Sequence, residues 1–373
     1  MHHDADPFAH SYAEARAKFL AASAGLPVES HPEPRPGLAL ENLAMDVARV
    51  GADDADALLI VSSGCHGVEG YCGSGVQVDL LHDAALRAKA RAGGVALLFI
   101  HALNPWGFST GRRVTHEGVD LNRNFMDFRL PLPRNPGYDA LAGRLLPAHW
   151  PPSADNEQRL LAYAAAHGMA ALQQAVSGGQ YHHPDGLFYG GSQPTWSQQA
   201  LRLVLRRHAS RCRRLGWIDL HSGLGESGVG ERIFAGRDDA PTRQRAAAWW
   251  GSRVTFTEDG SSTSAPLLGN LWHAAYDECA QATYTGITLE FGTQPLAAVT
   301  QALRFDHWVA RRLQAHASPH DAGHSVAPDE QREAARALMR AAFFCDTPQW
   351  KAAVLAEGRE AVAHAVDGLA GWR

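Results

Sequence analysis

Cysteine is scarce and irregularly placed. The five residues Cys65, Cys72, Cys212, Cys279 and Cys345 form no CxxC pair and are odd in number, which does not fit a dense disulfide framework. Long apolar runs are missing too. The longest, ALLIV at 57–61 and VALLFI at 95–100, fall far short of the ~20 residues that span a bilayer. The opening MHHDADPFAH has no apolar stretch after a basic start, so no secretory leader is expected. Charge of one sign is not in excess: a net charge of -5 gives no basic footprint for nucleic acid or an anionic membrane. Repeats and low-complexity tracts are absent, and 45% hydrophobic residues with 20% charged exclude a disordered, collagenous or fibrous chain. The expectation is a soluble protein of a reducing compartment, the cytoplasm in a bacterium.

What is present follows a strand–helix grammar. Residues 7–25 read as an amphipathic helix stopped by Gly25 and Pro27, followed by a Pro-rich linker at 31–37. AMDVARVG at 44–51 alternates like an edge or half-buried strand. ALLIVSSG at 57–64 and GVALLFIHALNP at 94–105 are continuously apolar and short, as strands covered on both faces of a parallel sheet are. A helix over 74–92 links them. Further strands are expected at 214–221 and 283–292, and helices at 195–212, 240–251, 297–316, 329–343 and 349–366. The stretch 127–190, rich in Pro, Gly, His and Tyr, reads as an insertion over the sheet with one helical piece near 155–176. The whole is expected as one domain over 1–373: a core at about 38–320, the insertion 127–190 and a helical C-terminal extension 321–373.

Four of these strands end in chemistry. They run into SSGCHGVEG, HALNPWGF, IDLHSGLG and LEFGT, and ligand sites of open α/β sheets lie beyond the carboxyl ends of strands. Those ends supply His66 with Glu69, a polar loop leading to Asn122 and Arg123, then His221, then Glu290. Two imidazoles and a carboxylate make a catalytic zinc site that keeps a fourth position for water. The HxxE spacing alone decides little. Among 20 histidines only His66 has Glu three residues on, about the single match that chance predicts for roughly one glutamate in twenty. Its place after a buried strand, among glycines that allow a tight turn, is the better argument. His221 alone has an ordinary reading as a hydrogen-bonded core histidine. Glu290, in a strand otherwise built of Thr, Ile, Leu and Phe, is costly to bury unless paired or functional. Asn122 and Arg123 could form a plain turn, although Arg suits a bidentate grip on a carboxylate. Asp219 reads as structural, turned away from His221 along its strand. Taken as an ordered set, these residues point to metal-assisted chemistry.

The set resembles the zinc carboxypeptidase superfamily. The resemblance rests on HGVEG at 66–70, NPWGF at 104–108, RVTHEGVDLNRNF at 113–125, DLHSG at 219–223 and LEFGT at 289–293, in the family's order and spanning about 60 to 295. Within it, GQYHHPDGLFYGGSQPTWS at 179–197 is similar to a bacterial branch catalogued as a domain of unknown function. The resemblance implies a three-layer α/β/α sandwich around a mixed, largely parallel sheet of about eight strands. It implies one zinc ion per chain, held by His66, Glu69 and His221, with Glu290 as general base. Arg113 then matches the arginine that polarises the scissile carbonyl, and Asn122 with Arg123 the pair that binds a terminal carboxylate. The tyrosine that digestive members bring over the substrate has no counterpart at its spacing; Tyr181 or Tyr189 from the insertion are the substitutes.

The activity implied is cleavage of an amide or peptide bond next to a carboxylate-bearing residue, with a small peptide or an N-acyl amino acid as partner and no nucleic acid or membrane. One alternative is an N-acyl amino acid deacylase of the aspartoacylase type. Another is an inactive zinc-binding scaffold, against which Glu290 and Arg113 speak. Asp219 or Asp120 would orient a ligand histidine, as outer carboxylates commonly do. Cys65 is expected to point away from the metal.

Overall fold

The computed structural model describes residues 6–316 and 328–371. Eight strands form one sheet: β1 (Val28–Pro32), β2 (Ala44–Val50), β3 (Ala57–Ser63), β4 (Val95–His101), β5 (Arg214–Ser222), β6 (Gly230–Phe234), β7 (Val254–Thr255) and β8 (Thr283–Phe291). Their spatial order is β1-β2-β4-β3-β5-β8-β6-β7. The central four, β4, β3, β5 and β8, run parallel, while β2 and β6 flank them antiparallel. This is the mixed, largely parallel sheet expected. Every residue of β2, β3 and β4 is buried, which explains their unbroken apolar runs.

Thirteen helices are described. Before the insertion lie α1 (Tyr12–Ala22), α2 (Gly70–His82), α3 (Ala84–Ala92) and α4 (Pro105–Thr110). The insertion holds α5 (Pro136–Leu145), α6 (Ala154–His167) and α7 (Met169–Ser177). After it come α8 (Trp196–His208), α9 (Ala240–Trp250), α10 (His273–Glu278), α11 (Leu296–His316), α12 (Pro328–Phe343) and α13 (Pro348–Gly371). One sheet face carries α2, α3, α9 and α13, packed on Leu59, Val61, Leu97, Phe99, Ile218 and Leu289. The other carries α8 and α10, over Leu58, Ile60, Leu98, Leu215 and Trp217.

Several expectations need correction. The Pro-rich segment is not all linker: β1 takes it to Pro32, pairing antiparallel with β2. A proline is tolerated there because it sits on an edge strand. In consequence β2 is an inner strand rather than an edge. The helix over 74–92 is two helices, broken where Asp83 leaves the helical region and its side chain accepts the Leu86 amide. The insertion has three helices, anchored by Arg304 of α11, which donates to the carbonyls of Leu145 and Arg144 and pairs with Glu157 at 2.9 Å. Residues 317–327, including the start of the expected C-terminal extension, lie outside the described residues. Beyond them, α13 is a core layer, with Val354, Ala361, Val362, Ala365, Val366 and Leu369 buried against the sheet side of the molecule. Among the described residues, no helix is long and apolar enough to cross a membrane.

Candidate active site

The loop after β3 forms the first half of the site. Gly64 has φ +65, and a side chain on Gly67 would meet the Gly107 carbonyl carbon at 2.0 Å. Only glycine allows this approach. The Gly67 and Val68 amides donate to the carbonyls of Arg113 and Arg112 at 3.0 and 2.9 Å. The loop is thereby clamped on α4 and the segment after it, and one short helical turn carries Glu69 back beside His66. The second half comes from neighbouring parallel strands: His221 of β5 stands in register with Glu290 of β8, one strand spacing apart.

All four side chains are buried. The Nδ1 atoms of His66 and His221 lie 3.1 Å apart. Glu69 reaches both, with Oε1 2.9 Å from His66 Nδ1 and Oε2 3.0 Å from His221 Nδ1. The other ring nitrogens face carboxylates: His66 Nε2 is 3.1 Å from Asp120 Oδ1, and His221 Nε2 is 2.6 Å from Asp219 Oδ2. Ser62 Oγ donates to the remaining oxygen of Asp219 at 2.5 Å. Asp219 therefore does not turn away from His221. Residues two apart share a strand face, so it orients the ring. Cys65, expected to point away, sits with Asp219 and His221 in one buried cluster.

This donor set fits a zinc ion. The Nε2–H of His221 can go to Asp219, which leaves its Nδ1 lone pair free. The Nδ1 of His66 lies beside it, both next to Glu69, while His66 Nε2 stands between Asp120 and the Arg113 guanidinium. The donor atoms of His66, Glu69 and His221 all lie within 4.8 Å of one another. The electrostatics agree, since the cluster draws positive charge. For His221, burial works to lower the pKa, but the charges of Asp219 and Glu69 carry it well above its ordinary value. For Glu69, burial works upward and is outweighed by His66 and His221, which hold it far below the usual carboxylate range. Asp120 is likewise held down, against burial, by Arg113 and Arg123.

Glu290 behaves oppositely. Burial first, and then the nearby charge of Glu69, push its carboxyl up to about 8. Its Oε1 accepts the Leu224 amide at 3.0 Å. That amide follows Gly223, which has φ +139 and where an added Cβ would meet the Phe343 ring at 2.8 Å, so the position suits a residue without a side chain.

Arg113 lies against the cluster. It donates to Asp120 Oδ2 at 3.0 Å and Glu69 Oε1 at 3.1 Å, with Nη2 2.7 Å from His66 Nε2. Arg123 gives Nε and Nη2 to the Ser177 carbonyl and Nη1 to that of Asn122. Asn122 accepts the Leu271 amide. All three line a cavity of about 770 Å³ that also contains His66, Glu69, His221 and Glu290. Tyr181 and Tyr189 do not line it. Tyr181 spends its hydroxyl on the Arg123 carbonyl at 2.7 Å, and Tyr189 forms a bridge with Gln180. Among the aromatic residues that line the cavity, Phe188 is held at φ +55 with the Arg113 and Arg123 guanidinium groups 5.3 and 5.6 Å from its ring centroid. A bulky residue in the left-handed region is strained. No sequence signal beyond the turn-rich HHPDGLFYGG singles it out.

Fold and site together define an α/β protein with a candidate metal centre at the carboxyl edge of a parallel sheet. The chain belongs to the family described as "Protein of unknown function (DUF2817)", which matches residues 8–357. That agrees with the expected branch. No curated protein matches the chain. Among solved structures it is similar to bovine thrombin-activatable fibrinolysis inhibitor in complex with tick carboxypeptidase inhibitor, at 12% identity and TM-score 0.45, covering 94% of this chain and 98% of that one. It is also similar to metallo-carboxypeptidases from Burkholderia cenocepacia (14%, TM-score 0.38, 88% and 67% covered) and Pseudomonas aeruginosa (14%, TM-score 0.37, 92% and 68% covered), the latter in complex with (2-guanidinoethylmercapto)succinic acid.

Proposed function

We propose that the protein is a zinc-dependent hydrolase that cleaves an amide bond on the amino side of a carboxylate-bearing residue, as a carboxypeptidase does. The observation that carries this reading is the convergence of His66 Nδ1, His221 Nδ1 and Glu69 beside Glu290, on adjacent parallel strands. His66, Glu69 and His221 would hold the metal, which when bound supplies an acidified water and a polarised carbonyl. Glu290 is the one carboxylate of the cluster with no imidazole or guanidinium among its hydrogen-bond partners in the described residues. Burial makes it more basic, which suits it to take the proton of the attacking water and pass it to the leaving amine. A zinc ion beside Glu69 would offset that neighbour's charge and bring Glu290 back toward the operating range.

Arg113 would donate to the carbonyl oxygen as it gains charge, a role worth about 3–4 kcal/mol in other oxyanion sites. The two N–H groups that Arg123 does not spend on the Ser177 and Asn122 carbonyls would, with the Asn122 amide, orient the substrate carboxylate. The test is a pair of short peptides differing only at the C-terminus, free or amidated. The free acid is expected to be cleaved with kcat/KM at least tenfold higher, and Arg123→Ala should abolish that preference mainly through KM. Equal cleavage of both forms would remove the carboxylate from the reading.

A further inference from the structure

The cavity that holds the site is larger than one amino acid needs, since volumes of ~300–1,000 Å³ bury whole drug-sized ligands. Part of its wall is of one kind. Leu160, Leu172 and Val176 of the insertion helices α6 and α7 line it together with Leu296, Val299 and Leu303 of α11. This apolar arm joins the catalytic end at α7, whose last residue, Ser177, receives the Arg123 guanidinium. At the rim Leu161, Met169 and Leu296 are 64%, 65% and 51% exposed and also line the cavity. Three large apolar side chains from three helices, exposed at one opening, suggest a surface that awaits an apolar ligand.

Hydrogen bonding narrows what that ligand is. A peptide lying in the arm would bring an N–H and a C=O per residue, each needing a partner. The arm is walled by helices, whose interior backbone groups are already paired. Its polar side chains are few and partly engaged: Gln173 Nε2 donates to the Thr263 carbonyl, Gln301 Nε2 to Glu157, and Glu157 is paired with Arg304. Among the lining hydroxyls, those of Thr300 on α11 and Thr288 on β8 are the ones without a hydrogen bond among the described residues, and only Thr300 lies on a helix of the arm. An alkyl chain has no such demands. We infer that the acyl side of the scissile amide is an aliphatic chain, so that the substrate is an N-acyl amino acid with a medium or long acyl group. This rests on the reading above for where the scissile amide sits and for the carboxylate end of the ligand.

The test measures binding, apart from turnover. Zinc-loaded Glu290→Gln protein is titrated calorimetrically with N-acetyl-, N-hexanoyl- and N-decanoyl-L-alanine below their micelle concentrations, and with the tripeptide Leu-Leu-Ala. Each buried methylene is worth about fourfold in affinity, so the decanoyl ligand should bind at least 100-fold tighter than the acetyl one. Leu161→Glu and Met169→Glu, at exposed positions, should cut that gain tenfold or more while leaving N-acetyl-L-alanine unchanged. Affinity that does not rise with chain length, a tripeptide that binds as tightly as the decanoyl ligand, or no binding at all would overturn the inference. If the parent enzyme still hydrolyses N-acetyl-L-alanine or a free-acid peptide, the hydrolase reading survives that failure.

Discussion

Two aspartates decide how the histidines work. With Asp120 and Asp219 on the Nε2 atoms of His66 and His221, both rings present Nδ1 to Glu69. Asp219→Asn keeps the shape and the Ser62 contact but weakens the hold on His221. It should lower zinc affinity on the order of 10–100-fold, measured by competition with a chelator of known affinity; parent-like affinity would show that Asp219 does not set the ring. The sequence made His66, Glu69, His221 and Glu290 legible because each lies at, or in the loop just beyond, the carboxyl end of a strand. Asp219 was misread by a simple parity error, and Phe188 was invisible because its value comes from a strained turn. A second buried histidine governs stability. His101 stacks on Phe19 with centroids 4.6 Å apart, and burial lowers its pKa to about 4. Its folded value lies below the unfolded ~6.5, so its contribution is intact above pH 6.5 and is lost as pH falls from 6.5 to 4. The unfolded chain takes up a proton there that the folded one refuses. The loss is about 3 kcal/mol, and His307, also lowered to about 4 by burial, adds with the same sign. Urea unfolding at pH 7 and 4.5 should show a smaller difference for His101→Gln than for the parent; an equal difference would clear His101 of the effect.

At the scale of elements, the loop from β3 to α2 is the most exacting piece. Gly67→Ala would force its methyl into the Gly107 backbone, so the loop must move with His66 and Glu69 on either side. The expected result is a loss of about 2–4 kcal/mol in metal-free stability and a fall in zinc affinity, read by thermal melts and zinc titration. An alanine variant that binds zinc like the parent would contradict the clamp. The parallel strands could be read from sequence because full burial writes itself as apolar runs. β1, β6 and β7 could not: β1 is an edge strand with three of its five residues exposed, and β7 has only two residues. Helix α13 was legible as a helix but not as a core layer. Leu369→Ala, at a fully buried position, should cost about 2–5 kcal/mol in denaturant unfolding, whereas a change below 0.5 kcal/mol would mean that the helix only rests on the sheet.

For the whole molecule, sheet, insertion and C-terminal helices meet around one cavity, and the chemistry assigned to it stands or falls with the metal. The insertion's three helices wall that cavity through α6 and α7, which its loop-like composition did not foretell. The most direct measurement follows zinc content and turnover together, in the parent and in Glu290→Gln, with an N-acyl amino acid and a free-acid peptide as substrates. The account predicts one zinc per chain in both proteins, parent activity that a chelator removes and zinc restores, and a fall of at least 100-fold in Glu290→Gln. Parent-like turnover by Glu290→Gln, or a parent protein that takes up no zinc, would contradict it.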